Sequence, residues 1–410
     1  MRRILLVMAL CCAGCGGNSE DPTPAPDTGR DTGNTDVGTD SEGGDAEDAG
    51  PTDTGDDVTD DVDDASLDVE PDLAPIEVGA WRAWSVQEPG PLRTGAQIHE
   101  LTYTLPTGVE RTIEVTIWYP TRATSGTPVK YLAGLLPDAE VFLDAPPADS
   151  VHEDGFPLTI HSHGDRAYGG EIAARARYTT SHGWVVVAVD HTGNLLTDPG
   201  PNPVAHWYHR PLDISAALDF VADLPADNPL SGRVVTSRAT LSGHSRGAYT
   251  VWALAGATYG EDEVSTECAD ACSQVEIDTF RAGFRDERLI AASPQAGTIR
   301  STWFGETGAA SVEVPVFFMS GSEDDVGGEV QWERAAGLDF TWVEFAGGCH
   351  LSFTVGLLCD TLGKQEGWDL TNTYSLAFAR KTLLLDDSAE VAGLLDGTLA
   401  VDKATIRIRE

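Results

Sequence analysis

The middle of the chain reads Arg238-Ala239-Thr240-Leu241-Ser242-Gly243-His244-Ser245-Arg246-Gly247-Ala248-Tyr249, where an apolar run enters Gly-x-Ser-x-Gly and continues into a helical pattern. A strand, a sharp turn and a helix in this order form a nucleophile elbow, which projects a serine hydroxyl from the end of a sheet. Gly243 and Gly247 lack the Cβ atoms that would collide where strand and helix pass each other. The stretch therefore predicts Ser245 as a nucleophile, with the N–H groups of a helix N-terminus behind it.

A serine nucleophile needs a base that takes its proton and an acid that orients the base. In folds built on this elbow, the acid and then the histidine follow the serine along the chain. His350 is the one histidine after Ser245, and it lies in a glycine-rich loop just past an apolar run at 340–345. The sequence therefore predicts His350 as the general base.

The acid is expected where the preceding strand, 314–319, ends. The chain continues there as Ser320-Gly321-Ser322-Glu323-Asp324-Asp325. We favour Asp324 because it has Gly-x-x-Asp spacing after Gly321. Asp325 and Glu323 remain the alternatives.

An oxyanion hole in this arrangement uses the N–H group after the nucleophile and one from the loop after an earlier strand. The first is the N–H of Arg246, and the loop Ser162-His163-Gly164-Asp165 predicts the second as that of Asp165. The Asp165 carboxylate is expected to point away from the site, towards Arg166. His161 and His163 lack a third ligand nearby, so we expect them to shape the loop and not to bind a metal. The predicted chemistry needs no cofactor.

Short apolar runs alternate with helical patterns along the rest of the chain. This alternation predicts an α/β fold with a doubly wound, mostly parallel sheet, the α/β-hydrolase arrangement. Two further runs, 98–105 and 111–119, alternate apolar and polar residues around a turn and predict antiparallel edge strands. The predicted buried strands are 156–161, 184–189, 288–292, 314–319 and 340–345, and the predicted helices are 168–180, 210–224 and 373–385.

Two aromatic groups are candidates for the wall of a substrate pocket. One is the run His206-Trp207-Tyr208-His209, which precedes the predicted helix 210–224; the other is Trp303 and Phe304. Packing in the protein interior is the alternative role for both. The run Asp190-His191-Thr192-Gly193-Asn194 follows a strand end, where active sites collect, and is a further pocket-wall candidate.

The charge of the chain is strongly negative and unevenly distributed. The 410 residues carry a formal net charge of −40, and residues 16–75 contain 20 acidic residues against one basic residue. Nucleic acid is therefore not expected as a partner, because phosphate binding needs a basic surface. Residues 16–74 are rich in Asp, Thr, Gly and Pro and contain too few apolar residues to fold, so they predict a disordered linker before a catalytic domain at 75–410.

Residues 1–15 have the pattern of an export signal: two arginines, a short apolar run and small residues. Ala13-Gly14-Cys15 resembles a bacterial lipobox, which predicts lipidation of Cys15 and a membrane-anchored protein of a bacterial envelope, in the periplasm or at the cell surface. The alternative is ordinary signal cleavage, which would give a secreted product.

Four cysteines remain in the catalytic domain: Cys268, Cys272, Cys349 and Cys359. An exported chain meets oxidising conditions, so two disulfides are expected. The local pairs Cys268–Cys272 and Cys349–Cys359 are the simplest of three connectivities, among which the sequence does not choose. Cys-x-x-x-Cys without a nearby histidine is poor spacing for zinc.

Several motifs along the chain are shared with one known group of proteins. In chain order they are Val115-Thr116-Ile117-Trp118-Tyr119-Pro120, Ser162-His163-Gly164, Asp190-His191-Thr192-Gly193-Asn194, Arg210-Pro211-Leu212-Asp213-Ile214, Gly243-His244-Ser245-Arg246-Gly247, Gly321 with Asp324, and His350. In these motifs the chain resembles bacterial predicted dienelactone hydrolases, which are related to the platelet-activating-factor acetylhydrolase family. The resemblance implies a serine esterase that cleaves carboxylic esters of small molecules or lipids. A phospholipid or polyester acylhydrolase, and a surface binding module that kept the fold without catalysis, are the alternatives.

Overall fold

A computed structural model describes residues 75–200, 203–357 and 359–409. Its centre is one sheet, and most apolar residues of its central strands are buried. The strands of the described residues are β1 (Arg93–Thr104), β2 (Glu110–Thr121), β3 (Pro128–Tyr131), β4 (Leu136–Leu143), β5 (Phe156–Ser162), β6 (Val185–Asp190), β7 (Val234–His244), β8 (Leu289–Gln295), β9 (Val316–Gly321), β10 (Phe340–Phe345) and β11 (Ala404–Arg409).

The strand order across the sheet is β11-β10-β9-β8-β7-β5-β6-β2-β1-β4-β3. The six strands from β10 to β6 in this order are parallel, and β11 and β2 flank them in antiparallel pairing. The carboxyl ends of parallel strands meet at one edge of a sheet, so the loops after β5, β7, β9 and β10 come together. The predicted α/β fold with a doubly wound, mostly parallel sheet is confirmed.

Helices cover both faces of the sheet at its centre, and the central parallel strands are buried on both sides as a result. On β6, Val185 and Val187 pack into the largest core cluster, whereas Val186 and Ala188 pack into a separate one on the opposite face. The described helices are α1 (Ala173–Ser181), α2 (Pro203–Ala222), α3 (Arg246–Ala255), α4 (Glu261–Cys268), α5 (Gln274–Ala282), α6 (Ser301–Phe304), α7 (Gly328–Arg334), α8 (Lys364–Leu383) and α9 (Ala389–Asp396), with 3-10 turns at Ala80–Ala83, Gly169–Ile172, Gly308–Ser311 and His350–Phe353.

The structure corrects three of the expectations about individual elements. The hairpin β1–β2 is not at the edge, because β4 and β3 lie beyond it. Helix α2 begins at Pro203, seven residues before the predicted start, and contains Pro211 in its interior. Helix α8 begins at Lys364, nine residues before the predicted start. The early turns of both helices are rich in polar residues or proline, so periodicity alone placed their starts too late.

The export signal at 1–15 and the linker at 16–74 lie outside the described residues and stay predictions, as does the division of the chain at residue 75. In the ranges that the structure does describe, each helix is too short or too polar to cross a bilayer.

Candidate active site

Ser245 stands at the sharp turn between β7 and α3. Its backbone has φ 54° and ψ −114°, a conformation that non-glycine residues adopt only where the surrounding structure enforces it. A Cβ on Gly243 would lie 2.2 Å from the carbonyl oxygen of Gly247, and one on Gly247 would lie 1.9 Å from that of Ser162. Both positions therefore exclude any side chain, which supports the steric argument made for the elbow. The serine is half-buried, at the N-terminus of α3.

His350 and Asp324 meet at the same edge of the sheet. His350 Nδ1 lies 3.0 Å from Asp324 Oδ1 and 3.2 Å from Oδ2. A carboxylate only accepts hydrogen bonds, so Nδ1 is the donor in this contact. Asp324 is 3% exposed, whereas Asp325 is exposed and Glu323 accepts a hydrogen bond from the Thr361 hydroxyl. Of the three candidate acids, the structure places Asp324 against the imidazole.

Two contacts hold the loop that carries His350. Cys349, the preceding residue, forms a disulfide with Cys359, with a Cα–Cα distance of 5.5 Å. The ring of His244 donates through Nε2 to the carbonyl oxygen of His350 at 2.8 Å, and the two rings lie 4.8 Å apart. Since His244 immediately precedes Ser245, this bond ties the histidine loop to the elbow itself. The second disulfide joins Cys268 to Cys272; both bridges are the local pairs, the simplest of the three possible connectivities.

The hydroxyl of Ser245 makes no hydrogen bond within the described residues, to His350 or to any other group. The structure therefore shows no hydrogen bond between the predicted base and the predicted nucleophile. Catalytic hydrogen bonds are often long in a free enzyme and shorten when substrate binds.

The loop after β5 lies directly against the elbow. A Cβ on Gly164 would be 3.6 Å from the Cβ of Ser245. The next residue, Asp165, has a backbone N–H that makes no hydrogen bond to any described residue. Its carboxylate pairs with Arg246, at 3.1 Å from Nε, and accepts a hydrogen bond of 2.8 Å from Asn194 Nδ2. The prediction that the carboxylate of Asp165 lies towards Arg166 is wrong, because it pairs with Arg246 of the elbow.

Arg210 is a functional candidate that no chemical signal in the sequence marks, beyond the motif in which it lies. Its side chain is fully buried in α2. It donates to the carbonyl oxygens of His163 and Gly164, at 2.6 and 2.8 Å, and to Oδ1 of Asn194 at 2.8 and 3.0 Å. One guanidinium therefore fixes the backbone of the loop after β5. Burial, and secondly Arg246, lowers the pKa of Arg210 to about 9.

Glu171 supports the same loop from below. Its carboxylate accepts the backbone N–H of Gly164 at 3.0 Å and lies 3.3 Å from His161 Nε2. Burial raises the pKa of Glu171 to about 8, against the hydrogen bond from Gly164 and the charges of nearby arginines, which lower it. The pKa of His161 lies well below its usual value, first because of burial and then because of Arg175. Glu171 and His161, which lie buried beneath the loop, are therefore largely uncharged near neutral pH.

The two histidines of the His-x-His run are engaged with protein groups. His161 Nδ1 contacts Ser242 Oγ and Arg175, and His163 Nε2 accepts the backbone N–H of His191 at 3.0 Å. Among the described residues, no group of three or more His, Cys, Asp or Glu side chains is arranged to hold a metal ion.

Of the pocket-wall candidates, Trp207 lies beside the elbow. The guanidinium of Arg246 stacks on the Trp207 ring at 4.7 Å, and Trp207 is half-buried. Because α2 begins early, Trp207 is part of this helix and does not precede it. Trp303 and Phe304 are fully buried, so they pack in the core and do not face a substrate.

No protein-family model and no curated protein matches the sequence. Among solved structures, the chain is similar to a ferulic acid esterase from Streptomyces cinnamoneus, with 21% sequence identity and a TM-score of 0.56. The match covers 78% of this chain and 98% of that one. The likeness shows the fold, an α/β-hydrolase-like sheet with its helices. The resemblance to dienelactone hydrolases and platelet-activating-factor acetylhydrolases stays a prediction.

Proposed function

We propose that the protein is a serine hydrolase of carboxylic esters. Ser245 is the nucleophile, His350 the general base and Asp324 the acid that orients it. The observation that carries this proposal is the hydrogen bond of 3.0 Å from His350 Nδ1 to a buried Asp324, on a loop bonded to the residue before Ser245. It leaves Nε2 of the imidazole as a base at the elbow, the state that proton abstraction requires.

The reaction follows from these positions. Ser245 Oγ attacks the ester carbonyl while its proton moves to His350 Nε2, and the buried carboxylate of Asp324 stabilises the imidazolium. The backbone N–H groups of Arg246 and Asp165 bind the oxyanion of the tetrahedral intermediate. Collapse expels the alcohol, which takes the proton from His350, and leaves an acyl-enzyme. Water, activated by the same histidine, then hydrolyses the acyl-enzyme.

The substrate is a small or medium ester, and the comparison with solved structures suggests which ester to test first. Trp207 does not offer a free face to such a substrate, because the guanidinium groups of Arg246 and Arg300 lie over its ring at 4.7 and 5.4 Å. One solved structure with this fold is a ferulic acid esterase, whose name points to esters of a hydroxycinnamic acid. Aryl esters of the hydroxycinnamate type are therefore the first class to test, followed by aliphatic, phospholipid and polyester substrates.

The decisive experiment combines active-site labelling with turnover. The purified protein is treated with a fluorophosphonate probe, and hydrolysis is measured on p-nitrophenyl esters of increasing chain length and on a methyl hydroxycinnamate. We expect labelling at Ser245 and loss of turnover in Ser245→Ala and His350→Ala by a factor of about 10³ or more. A folded wild-type protein without labelling or turnover would favour the non-catalytic binding module.

We further propose that the protein is exported and anchored through a lipidated Cys15. The two disulfides of the described residues support export, because such bonds persist in oxidising compartments. Residues 1–15 lie outside the described residues. Expression in a bacterium that processes lipoproteins, followed by detergent partitioning, is the test: Cys15→Ser should move the protein from the detergent phase to the aqueous phase.

A further inference from the structure

The two residues proposed to supply the backbone N–H groups of the oxyanion hole are joined by their own side chains. Arg246 Nε lies 3.1 Å from Asp165 Oδ1, and the two side chains are 19% and 22% exposed. Asp165 is on the loop after β5, and Arg246 is the first residue of α3. The ion pair therefore bridges the two segments of chain that must stand at a fixed separation for both N–H groups to reach one oxygen atom.

Each partner of the ion pair is itself held from its far side. On the loop side, Asn194 Nδ2 donates to the Asp165 carboxylate, and Arg210 in turn holds Asn194 and the carbonyl oxygens before Asp165. On the helix side, the guanidinium of Arg246 stacks on Trp207 and lies 3.4 Å from His206 Nδ1. An ion pair whose two side chains are each held by further contacts keeps the loop and the helix at a fixed separation. A surface ion pair between two freely moving side chains does not.

The charges are consistent with this role. Burial raises the pKa of Asp165, but the charge of Arg246 and the hydrogen bond from Asn194 outweigh burial, and the pKa lies below its usual value. The side chain is therefore a carboxylate at neutral pH. A carboxylate beside a developing oxyanion is unfavourable by itself, and the guanidinium of Arg246 neutralises it.

We infer that the Asp165–Arg246 ion pair is a clamp that sets the separation of the two oxyanion donors, so that both side chains are positioning residues for the proposed reaction. This inference rests on the proposed function. The donors must lie about 2.7–3.1 Å from the oxyanion, and a misplacement of about 1 Å lowers rates by about 100-fold. Every side-chain variant keeps both backbone N–H groups, so a loss of rate reports their position and not their removal.

The test is a double-mutant cycle of Asp165→Asn, Arg246→Gln and the double variant, on the full protein. The readouts are kcat, KM and the inhibition constant of a trifluoromethyl ketone that mimics the tetrahedral intermediate. Each single variant is expected to lower kcat and weaken the inhibitor about 10- to 100-fold, with KM changed less than about threefold. The loss of kcat in the double variant should be little larger than the loss in the more strongly impaired single variant, because both changes open the same clamp.

Arg166→Gln is the matched control. Arg166 is exposed and adjacent to Asp165, so this variant removes a positive charge near the carboxylate without touching the ion pair. It should keep kcat and the inhibition constant within about twofold. Additive losses in the cycle, an Asp165→Asn variant as fast as the wild type, or equal losses in Arg166→Gln would overturn the clamp while the esterase stands. A wild type that neither turns over nor reacts with fluorophosphonate would overturn both.

Discussion

Replacing Asp324 by Asn, beside the matched Asp325→Asn, tests which carboxylate orients His350. Both substitutions remove one negative charge from the same turn and change the side-chain volume very little. Only Asp324 is buried and within 3.0 Å of His350 Nδ1; Asp325 is exposed to solvent. The pair of variants therefore separates the contact from the general charge of the loop.

The expected magnitude follows from the geometry. Both oxygens of Asp324 lie within 3.2 Å of Nδ1, so an amide there must either place its NH₂ group against the Nδ1 proton or accept with one neutral oxygen. The first favours the wrong tautomer, and neither stabilises the imidazolium. Loss of the orienting carboxylate lowers kcat by about 10³- to 10⁴-fold in serine hydrolases, or about 4–5.5 kcal/mol of the activation barrier. Asp325→Asn should stay within about twofold, because an exposed charge is screened by water.

The assay is kcat/KM on a p-nitrophenyl ester, with thermal unfolding to show that both variants are folded. We also expect fluorophosphonate to label Ser245 more slowly in Asp324→Asn than in the wild type, and at the wild-type rate in Asp325→Asn. Equal losses in the two variants, or an Asp324→Asn variant within tenfold of the wild type, would refute the assignment. A large loss confined to Asp325→Asn would transfer the role to the neighbouring carboxylate.

Two further predictions concern the supports of the site. Removing the Cys349–Cys359 bridge with two alanines should destabilise the protein by about 2–3 kcal/mol and lower kcat, because the bridge anchors the residue before His350. The same change at Cys268–Cys272, at the end of α4, should lower stability in urea but leave kcat unchanged, and equal kcat values in both variants would contradict the role of the first bridge. Burial raises the pKa of Glu171 to about 8 from the ordinary 4.5, so between these values the unfolded chain loses the proton first and stability falls as pH rises. Glu171→Gln should remove that part of the pH dependence, which amounts to at most about 5 kcal/mol. The measurement is the free energy of unfolding in urea of both proteins at pH 5 and pH 9. If the carboxyl were already ionised in the folded protein, this free energy would change equally with pH in the wild type and the variant.

The sequence predicted those parts of the protein whose signals are local. The elbow is local because one strand, one turn and one helix decide it, and the parallel strands are local because each is a short apolar run. The strands β3 and β4 were missed because they are short or alternate weakly and are stabilised by pairing at the sheet margin. The strand β11 was missed although Ile406-Arg407-Ile408-Arg409 alternates apolar and charged residues. The helix starts at Pro203 and Lys364 were missed because polar residues or proline weaken the apolar periodicity in the early turns.

The proposed set of Ser245, Asp324 and His350 could be chosen from the sequence because chain order and the scarcity of histidines leave few choices. The contacts beneath the loop after β5 could not. Arg210 and Glu171 stand in helical segments where charged residues are ordinarily exposed, and nothing local marks them as buried. The partner of Asp165 was predicted to be its chain neighbour, Arg166. The observed partner, Arg246, lies 81 positions further along the chain and comes into contact only in the folded protein.

The buried layer under this loop has a consequence for how the site is built. A buried guanidinium is destabilising unless its donors are satisfied, and hydrophobic replacement of buried charges often leaves a protein equally stable or more stable. Arg210 directs its donors at consecutive carbonyl groups of one loop and at Asn194, which in turn binds Asp165. Such an arrangement does not make the protein more stable than apolar packing would, but it restricts the loop to a single conformation. A serine whose oxyanion donors come from two separate segments needs that single conformation, since both N–H groups must be in place before the negative charge develops.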